Sequence, residues 1–339
     1  MYKIIIDAMG GDNAPKAIID GTVAALHEYE DIFVYLVGKE EVIREHLAGQ
    51  DYDKERVEIV DAREEIEMAE PPVAAVRTKK DSSMVVGMRM AAEGKGDIFI
   101  TAGSTGAAVA GGTLVIRRAP GVLRPALAPI LPSAGGGVLL IDCGANVDCK
   151  PAYLQQFAVM GSIYMRLIMG IENPRVGLIN NGAEEEKGNA LTKEAYQLLK
   201  NTDCINFTGN AEGRDVLSGD FDVAVCDGFV GNVFMKSIEG FAAMLMGMLK
   251  DSLMSSWKSK LGAILSKKAF AALKKKMDYT EYGGSPLLGI NGCVIKSHGS
   301  SDAKTIKNSI RQAELFIKRD VVRVISEGIA VQIDPEEEE

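Results

Sequence analysis

The chain opens, after Met1 and Tyr2, with Lys3-Ile4-Ile5-Ile6-Asp7-Ala8-Met9-Gly10-Gly11-Asp12-Asn13, in which a β-branched run leads into a turn of glycine and polar residues. The run predicts a buried strand, and the turn predicts the start of a helix. The same order recurs along the chain, and several predicted strands are apolar throughout. Strands of that kind are covered on both faces, which is typical of a largely parallel sheet. The sequence therefore predicts the α/β fold class.

Eight segments are predicted to be strands because apolar and β-branched residues dominate them. They are Lys3–Asp7, Ile32–Gly38, Val57–Ala62, Asp97–Thr101, Val138–Asp142, Arg175–Asn180, Cys204–Thr208 and Asp222–Asp227. No internal repeat and no Pro- or Ser-rich linker divides residues 1–333, which are expected to form one domain. Residues 334–339 are predicted to be a disordered acidic tail.

The composition limits the possible functions. A chain of 339 residues, 47% of them hydrophobic, can bury a full core. The net charge of -9 argues against nucleic-acid binding, which needs a basic surface. The five cysteines are scattered, so neither a disulfide framework nor a zinc cluster is expected. The apolar run Ile4–Ile6 is too short for a signal peptide, which favours a cytoplasmic protein. The uncharged stretch Ile98–Ile116 is rich in glycine, and we interpret it as a strand, a turn and a small-residue helix rather than a membrane span.

Polar turns follow six of the predicted strands. They are Asp7–Asn13, Thr101–Gly106, Asp142–Asn146, Asn180–Gly182, Gly209–Asp215 and Asp227–Asn232. Ligands of parallel sheets bind at the carboxyl ends of strands, so all six turns are expected to face one crevice. Glycines and helix N-termini present backbone N–H groups to anions, which favours phosphate as the ligand. Taken singly, each turn is better explained by turn formation and helix capping than by ligand binding, and it is the six together that favour an anion site.

The common cofactor and nucleophile motifs do not occur in the sequence: there is no dinucleotide fingerprint, Walker loop, nucleophile elbow or His-Glu-x-x-His. Neither a cofactor nor a metal is expected. The strand-end residues Asp7, Asp142 and Asp227 are interpreted as loop organisers rather than metal ligands. Cys143 and Cys226, beside two of them, are expected to be buried structural thiols.

Four longer motifs occur in order along nearly the whole chain. They are Asp7–Pro15, Phe207–Asp215, Asp227–Asn232, and Gly284–Gly289 followed by His298-Gly299. With these motifs the chain resembles the bacterial phosphate acyltransferase family of phospholipid synthesis (PlsX). It departs from the family pattern at Ser104, where asparagine is frequent, and at Asn181 and Ala183.

The resemblance implies transfer of a fatty acyl group from acyl-carrier protein to inorganic phosphate. It also implies a homodimer with a three-layer α/β/α fold similar to isocitrate dehydrogenase and phosphotransacetylase. Peripheral association with the inner face of the cell membrane is a further implication, as is contact with the downstream glycerol-3-phosphate acyltransferase.

Attack of phosphate on a thioester needs no enzyme nucleophile, so positioning and charge stabilisation should dominate. Lys187, Arg214 and His298 are the predicted catalytic residues. The other residues predicted to bind substrate or phosphate are Asp7, Gly10, Gly11, Asn13, Ser104, Thr105, Arg124, Asn146, Asn210, Glu212, Asp227, Asn232 and Lys236. For Lys187, a helical surface pair with Glu184 or Glu185 is the alternative.

A lysine-rich segment, about residues 241–277, is predicted to be a protruding pair of helices with a break near Gly262. Its basic part, residues 250–276, carries eight lysines and one acidic residue in a chain that is acidic overall. Trp257, Leu261, Lys260, Lys267 and Lys274 are predicted to contact an anionic membrane or the acidic carrier protein. A solvated lysine face at a dimer interface is the alternative.

Three other functions stay open on sequence grounds. A phosphate acetyl- or butyryltransferase that uses coenzyme A would have the same chemistry with a smaller acyl group. A decarboxylating hydroxyacid dehydrogenase of similar fold would need a nicotinamide cofactor and magnesium. A non-catalytic scaffold would use only the lysine-rich segment.

Overall fold

Twelve strands form two sheets in the computed structural model, which describes residues 1–277 and 279–330, without the side chains of Lys274, Lys275 and Tyr279. The strands are β1 (Tyr2–Asp7), β2 (Ile32–Gly38), β3 (Val57–Asp61), β4 (Ile98–Thr101), β5 (Ala126–Leu127), β6 (Ile130–Leu131), β7 (Val138–Ile141), β8 (Arg175–Asn180), β9 (Asn206–Glu212), β10 (Val223–Val225), β11 (Ser285–Leu288) and β12 (Val294–Lys296). The first sheet has the order β3-β2-β1-β4-β12-β11-β5, and the second has the order β6-β7-β10-β8-β9. Only the β11–β12, β11–β5 and β6–β7 pairs are antiparallel among those described.

The sheets lie between layers of helices. The helices are α1 (Lys16–Glu28), α2 (Glu40–Leu47), α3 (Pro72–Thr78), α4 (Ser83–Ala92), α5 (Thr105–Gly111), α6 (Pro151–Tyr164), α7 (Ala190–Lys200), α8 (Gly228–Met254), α9 (Trp257–Leu265), α10 (Lys267–Lys276), α11 (Ala303–Lys318) and α12 (Val321–Ala330). In β1, Ile4 and Ile6 belong to the core cluster that contains α1 and α11, whereas Ile5 belongs to the cluster that contains α4 and α5. Alternate residues of one strand thus face opposite helical layers. The predicted three-layer α/β fold is confirmed.

Each predicted strand is present, but β9 is displaced. The prediction was Cys204–Thr208 followed by a turn, whereas the strand runs from Asn206 to Glu212. Gly209 has a φ of 106°, and the register with β8 shifts beside it. This bulge lets the strand continue through polar residues. The predicted turn at residues 209–212 is therefore wrong, and the turn starts only at Gly213.

One short segment joins the two sheets. Ala126 and Leu127 pair with β11 of the first sheet, and Ile130 and Leu131 pair with β7 of the second. In addition, the Leu127 carbonyl accepts the backbone N–H of Cys143 at 2.9 Å. The carboxyl ends of strands from both sheets are thereby held side by side.

The stretch Ile98–Ile116 forms β4, α5 and a short π-helical turn, Gly112–Ile116, which continues α5. All four residues of β4 are buried in the sheet, and Ala107 and Ala108 of α5 are buried beside it. The interpretation as a strand followed by a small-residue helix is confirmed.

The lysine-rich segment contains three helices. The long helix α8 begins at Gly228, before the predicted segment. The predicted helix break lies at Ser266, between α9 and α10, four residues after the expected Gly262. By its length and composition alone, α8 could cross a membrane, but one such helix is weak evidence of a membrane span. Its first half packs on the second sheet through Phe234, Met235 and Ile238.

Candidate active site

Asp7 organises the loops at the end of the first sheet. Its carboxylate is buried and accepts the backbone N–H of Met9 at 3.1 Å and the Thr101 hydroxyl at 2.7 Å. Burial raises the pKa of this carboxyl above its usual value, although these hydrogen bonds act in the opposite direction. The predicted role of Asp7 as a loop organiser is confirmed.

Gly10 and Gly11 allow three loops to touch. A Cβ on Gly10 would lie 2.5 Å from an Asp7 carboxylate oxygen and 2.8 Å from the Gly103 nitrogen. Gly11 has a φ of 104°, and a Cβ there would lie 3.0 Å from the Gly299 carbonyl oxygen. Contact between loops, and not only access for a ligand, therefore requires glycine at both positions.

The β1–α1 loop is joined to the segment that follows β12. The side-chain amide of Asn13 donates to the carbonyls of Ser300 and Ser301 at 3.1 and 3.2 Å. Beside them, His298 is exposed, and its Nδ1 accepts the Ser300 backbone N–H at 3.2 Å. In the tautomer that accepts this bond, the ring carries its proton on Nε2. Nε2–H is a suitable donor to a developing oxyanion.

Asp142 organises the corresponding loop of the second sheet. One carboxylate oxygen accepts the backbone N–H groups of Leu127 at 2.9 Å and Ala145 at 3.2 Å. The other oxygen accepts the backbone N–H of Asn146 at 2.6 Å and its side-chain amide at 3.0 Å. Burial again raises the pKa of the carboxyl. Asp142 thus connects the joining segment to the β7–α6 loop, as expected of a loop organiser.

The N-terminus of α8 packs on this loop. Asp227 caps the helix by accepting the Val230 backbone N–H at 2.8 Å, which is the predicted organising role. At Gly231, a Cβ would collide with the Asp142 carbonyl, so only glycine fits. Asn232 lies over Gly144, 3.7 Å from the position of a Cβ there. Lys236, one turn further along α8, projects from the same face as Asn232.

A third group of loops surrounds Lys187. The Asn180 side-chain amide donates to the Lys187 carbonyl and to Asn210 Oδ1, both at 3.1 Å. Asn210 in turn donates to the Glu184 carbonyl at 2.8 Å. Lys187 itself is exposed, and within residues 1–277 and 279–330 no carboxylate pairs with it; Glu185 pairs instead with Lys200 at 3.0 Å. The alternative of a surface pair with Glu184 or Glu185 is wrong.

The remaining predicted residues form ion pairs, a ring contact or a helix cap with residues near them. Arg214 is an exposed side chain that pairs with Glu212 at 2.7 Å and is 3.7 Å from Asp215. Arg124 lies over the ring of Tyr153, 5.7 Å from its centroid. Ser104 caps α5 by accepting the Ala107 backbone N–H at 3.4 Å, and Thr105 is the first residue of that helix.

One buried residue at the crevice is not among the predicted ones. Lys296 ends β12, is only 6% exposed, and lies beside Thr101 of β4 in the sheet register. Burial lowers the pKa of its ammonium to about 8; Asp7 and Asp12 act in the opposite direction, and Lys236 adds to the lowering. The charge of Lys236, on α8, thus acts on a residue of the first sheet. An isolated lysine at the end of a three-residue strand carries no motif that sequence reasoning could have used.

No group of three or more His, Cys, Asp or Glu side chains suited to a metal is found in the described part of the chain. The thiols beside the site are poor nucleophiles. Cys143 and Cys226 are buried, as predicted, and burial raises the pKa of Cys143 to about 12 and that of Cys226 well above its usual value. The arrangement is therefore suited to binding an anion and polarising an acyl group rather than to covalent catalysis.

Comparison with known proteins agrees with this chemistry. A family model described as "Fatty acid synthesis protein" matches residues 2–324. A phosphate acyltransferase from Clostridium perfringens (strain SM101 / Type A) is 50% identical over 327 residues, which cover 96% of each chain. Another phosphate acyltransferase, from Clostridium botulinum (strain Loch Maree / Type A3), is 50% identical over 331 residues and 98% of each chain. The chain belongs to the phosphate acyltransferase family.

Membership of this family makes the protein an acyltransferase, and it confirms the resemblance seen in the sequence motifs. Solved structures show the fold. The EutD phosphotransacetylase from Staphylococcus aureus matches with a TM-score of 0.57 at 16% identity, over 93% of this chain and 94% of that one. A phosphotransacetylase from Streptococcus pyogenes matches with a TM-score of 0.57 at 17% identity, over 97% and 94%. The predicted phosphotransacetylase-like fold is confirmed.

Proposed function

We propose that this acyltransferase moves a long-chain fatty acyl group from acyl-carrier protein to inorganic phosphate and so forms acyl phosphate for phospholipid synthesis. The observation that carries the proposal is that the aspartates and the lysines at the strand ends have different partners. The aspartates Asp7, Asp142 and Asp227 are occupied by loop hydrogen bonds. The crevice lysines Lys187 and Lys236, by contrast, form no ion pair with a described carboxylate. Such a site is positive and fits an anionic substrate that attacks by itself.

The reaction then needs only correct positioning. A phosphate oxygen attacks the thioester carbonyl carbon, a C–O bond forms, and the carbonyl oxygen becomes an oxyanion. The C–S bond breaks next, and the thiolate of the carrier leaves and takes a proton from solvent. His298 Nε2–H stabilises the oxyanion, Lys187 binds an anionic oxygen, and Asn232 orients the acyl group.

The test is to incubate the protein with long-chain acyl-carrier protein, with and without phosphate, and to trap acyl phosphate with hydroxylamine. Hydroxylamine also reacts slowly with the thioester itself, so we expect hydroxamate above the background without enzyme only when phosphate is present. Replacement of Lys187 or His298 by alanine should lower the rate about 100-fold or more, the typical loss for a transition-state donor. The matched controls are Lys193→Ala and His27→Ala, which remove an exposed lysine and an exposed histidine elsewhere.

Two results would contradict the proposal. If hydroxamate forms equally without phosphate, the protein is not a phosphate acyltransferase. If acetyl- or butyryl-coenzyme A is used and long-chain acyl-carrier protein is not, the short-chain alternative is correct.

We also propose that α9 places the protein on the inner face of the membrane. Trp257 is 72% exposed and Leu261 is 52% exposed, and both lie on a helix that also exposes Lys260. Exposed apolar residues beside lysines are typical of a helix that lies on anionic lipid. Lys267, at the start of α10, is exposed as well, whereas the predicted contact through the Lys274 side chain lies outside the described residues.

Flotation with anionic vesicles tests this location. The parent protein should float, and a Lys260→Glu, Lys267→Glu, Lys274→Glu variant should remain at the bottom. A parent protein that does not float contradicts the membrane proposal. Carrier-protein docking would then be the remaining use of the lysines, measured as salt-dependent binding of acyl-carrier protein.

A homodimer is part of the same proposal. The exposed face of α8 carries Phe241, Met244 and Met248, which are 60%, 54% and 61% exposed. Residues at this spacing share one face of a helix, and a second copy of the chain would cover them. Sedimentation equilibrium should give twice the chain mass. A co-sedimentation experiment with the downstream glycerol-3-phosphate acyltransferase in membranes tests the expected contact with that enzyme.

A further inference from the structure

Lys296 lies at the junction of the two halves of the crevice. β12 lies in the first sheet between β4 and β11, and Lys296 is its last residue, opposite Thr101 on one side and Ser285 on the other. Thr101 donates its hydroxyl to Asp7. The ends of three neighbouring strands thus present a carboxylate, a hydroxyl and an ammonium in one row.

The ammonium group of Lys296 is buried, and a single described hydrogen bond offsets its loss of contact with water. The side chain is 6% exposed, and its ammonium donates to the carbonyl of Ser297. Among the described residues it forms no ion pair, although the charges of Asp7 and Asp12 favour its ammonium form. An ammonium carries three donors, and a buried charge is costly unless it is paired. Two of the three N–H groups are therefore available for a ligand.

A second cation, Lys236, lies on α8, which packs on the second sheet. Lys236 is exposed one turn after Asn232 on α8, and its charge contributes to the lowered pKa of Lys296. Two ammonium groups, one on β12 and one on α8, repel each other when nothing lies between them. A dianion between them would be attracted by both and would remove the repulsion.

We propose that Lys296 binds the attacking inorganic phosphate, which it holds together with Lys236 between the two sheets. This inference rests on the proposed function and deepens it by naming the residue that places the nucleophile. Phosphate in this position is bounded by the row of Asp7, Thr101 and Lys296 on one side and by the Asn232 face of α8 on the other. His298, two residues after Lys296, is then near the acyl carbonyl that the phosphate attacks.

Direct phosphate binding tests the assignment without any acyl substrate. The affinity for inorganic phosphate is measured by isothermal titration calorimetry for the parent protein, Lys296→Met, Lys296→Arg and Lys236→Met. Lys296→Met should weaken binding at least 10-fold, Lys296→Arg should restore most of the loss, and Lys236→Met should weaken binding to a smaller extent. Lys193→Met, which removes an exposed lysine on α7, should bind as the parent does.

Steady-state kinetics supply the second readout. In Lys296→Met, the KM for phosphate should rise at least 10-fold, whereas the KM for the acyl substrate should stay within about twofold of the parent value. A lysine that only supports the sheet would change the unfolding temperature and leave both phosphate measurements unchanged, and that result overturns the proposal. If Lys296→Met does not fold, Lys296→Gln takes its place in both measurements, and unchanged phosphate affinity in that variant overturns the proposal.

The two proposals fail in different ways. If the parent binds phosphate, Lys296→Met does not, and no acyl substrate gives hydroxamate, then the acyl-transfer proposal is wrong and Lys296 remains a phosphate ligand. If hydroxamate formation depends on phosphate and Lys296→Met retains the parent Kd, the assignment of Lys296 is wrong.

Discussion

Replacement of Asp142 by alanine should strongly destabilise the protein. Asp142 is fully buried, and its carboxylate accepts the backbone N–H groups of Leu127, Ala145 and Asn146. Its carboxylate connects the segment joining the two sheets to the β7–α6 loop, which packs on the start of α8, and the Asn146 side chain adds a hydrogen bond to the Pro125 carbonyl. Removal of the Asp142 carboxylate leaves these N–H groups without an acceptor in a region that α8 covers.

The magnitude follows from those contacts. A hydrogen bond to a charged group contributes about 1.5–3 kcal/mol, and a buried donor left unsatisfied costs a similar amount. Three backbone donors would suggest more than 5 kcal/mol, but burial disfavours the charged carboxylate, as its raised pKa shows. Loss of that unfavourable burial offsets part of the cost. We therefore expect Asp142→Ala to lower the free energy of unfolding by about 3–5 kcal/mol, the range for breaking a buried charged network.

Urea unfolding, followed by circular dichroism and by intrinsic fluorescence, measures the effect. Asp227→Ala is the matched control, because Asp227 is also a strand-end aspartate but makes a single capping bond, to Val230. Loss of such a cap costs about 1 kcal/mol. If Asp142→Ala and Asp227→Ala differ by less than about 1 kcal/mol, the view of Asp142 as a connection between the two halves is refuted.

Three further predictions concern stability and reactivity. The pKa of Lys296 is about 8 in the folded protein and 10.5 ordinarily, so the unfolded chain binds more protons between these values and stability should rise with pH across that window. Lys296→Met should remove this rise and should raise the free energy of unfolding near neutral pH by on the order of 3 kcal/mol, because it removes a charge that burial disfavours; equal pH profiles of unfolding in both proteins would count against it. Gly188→Ala should lower the free energy of unfolding by at least about 1 kcal/mol, because Gly188 has a φ of 104° and a Cβ would collide with Thr192; an unchanged urea midpoint would contradict this. Iodoacetamide should label exposed Cys204 much faster than Cys143, whose pKa burial raises to about 12, and peptide mass spectrometry that finds equal labelling would disprove the assigned burial.

The parts of the fold that depend on local pattern could be predicted from the sequence. Apolar runs such as Ile4–Ile6 specify buried strands whatever their neighbours are, and a strand-end aspartate followed by glycine specifies a loop organiser. This is why the roles of Asp7 and Asp142 were predictable. Family membership was predictable because the motifs from Asp7 to Gly299 occur in order over most of the chain.

The parts that depend on long-range pairing were not predictable. β12 has three residues and is stabilised by pairing with β4, nearly two hundred positions earlier in the chain. Without that pairing, Lys296 is one lysine among many, and its place between two halves of a site does not follow from the sequence. The division into two sheets depends in the same way on β5 and β6, which have two residues each. The extension of β9 through Asn210 depends on a bulge that the pattern of residue types does not reveal.

The most direct test of the central claim is the fate of the phosphate oxygens. The protein is supplied with long-chain acyl-carrier protein and with phosphate labelled with ¹⁸O at every oxygen. The mass of the intact product is then measured by mass spectrometry. Direct attack by phosphate predicts acyl phosphate that retains all of the label, because the bridging oxygen comes from phosphate and only the C–S bond breaks. Release of free fatty acid without acyl phosphate, at a rate that does not depend on phosphate, would contradict the account.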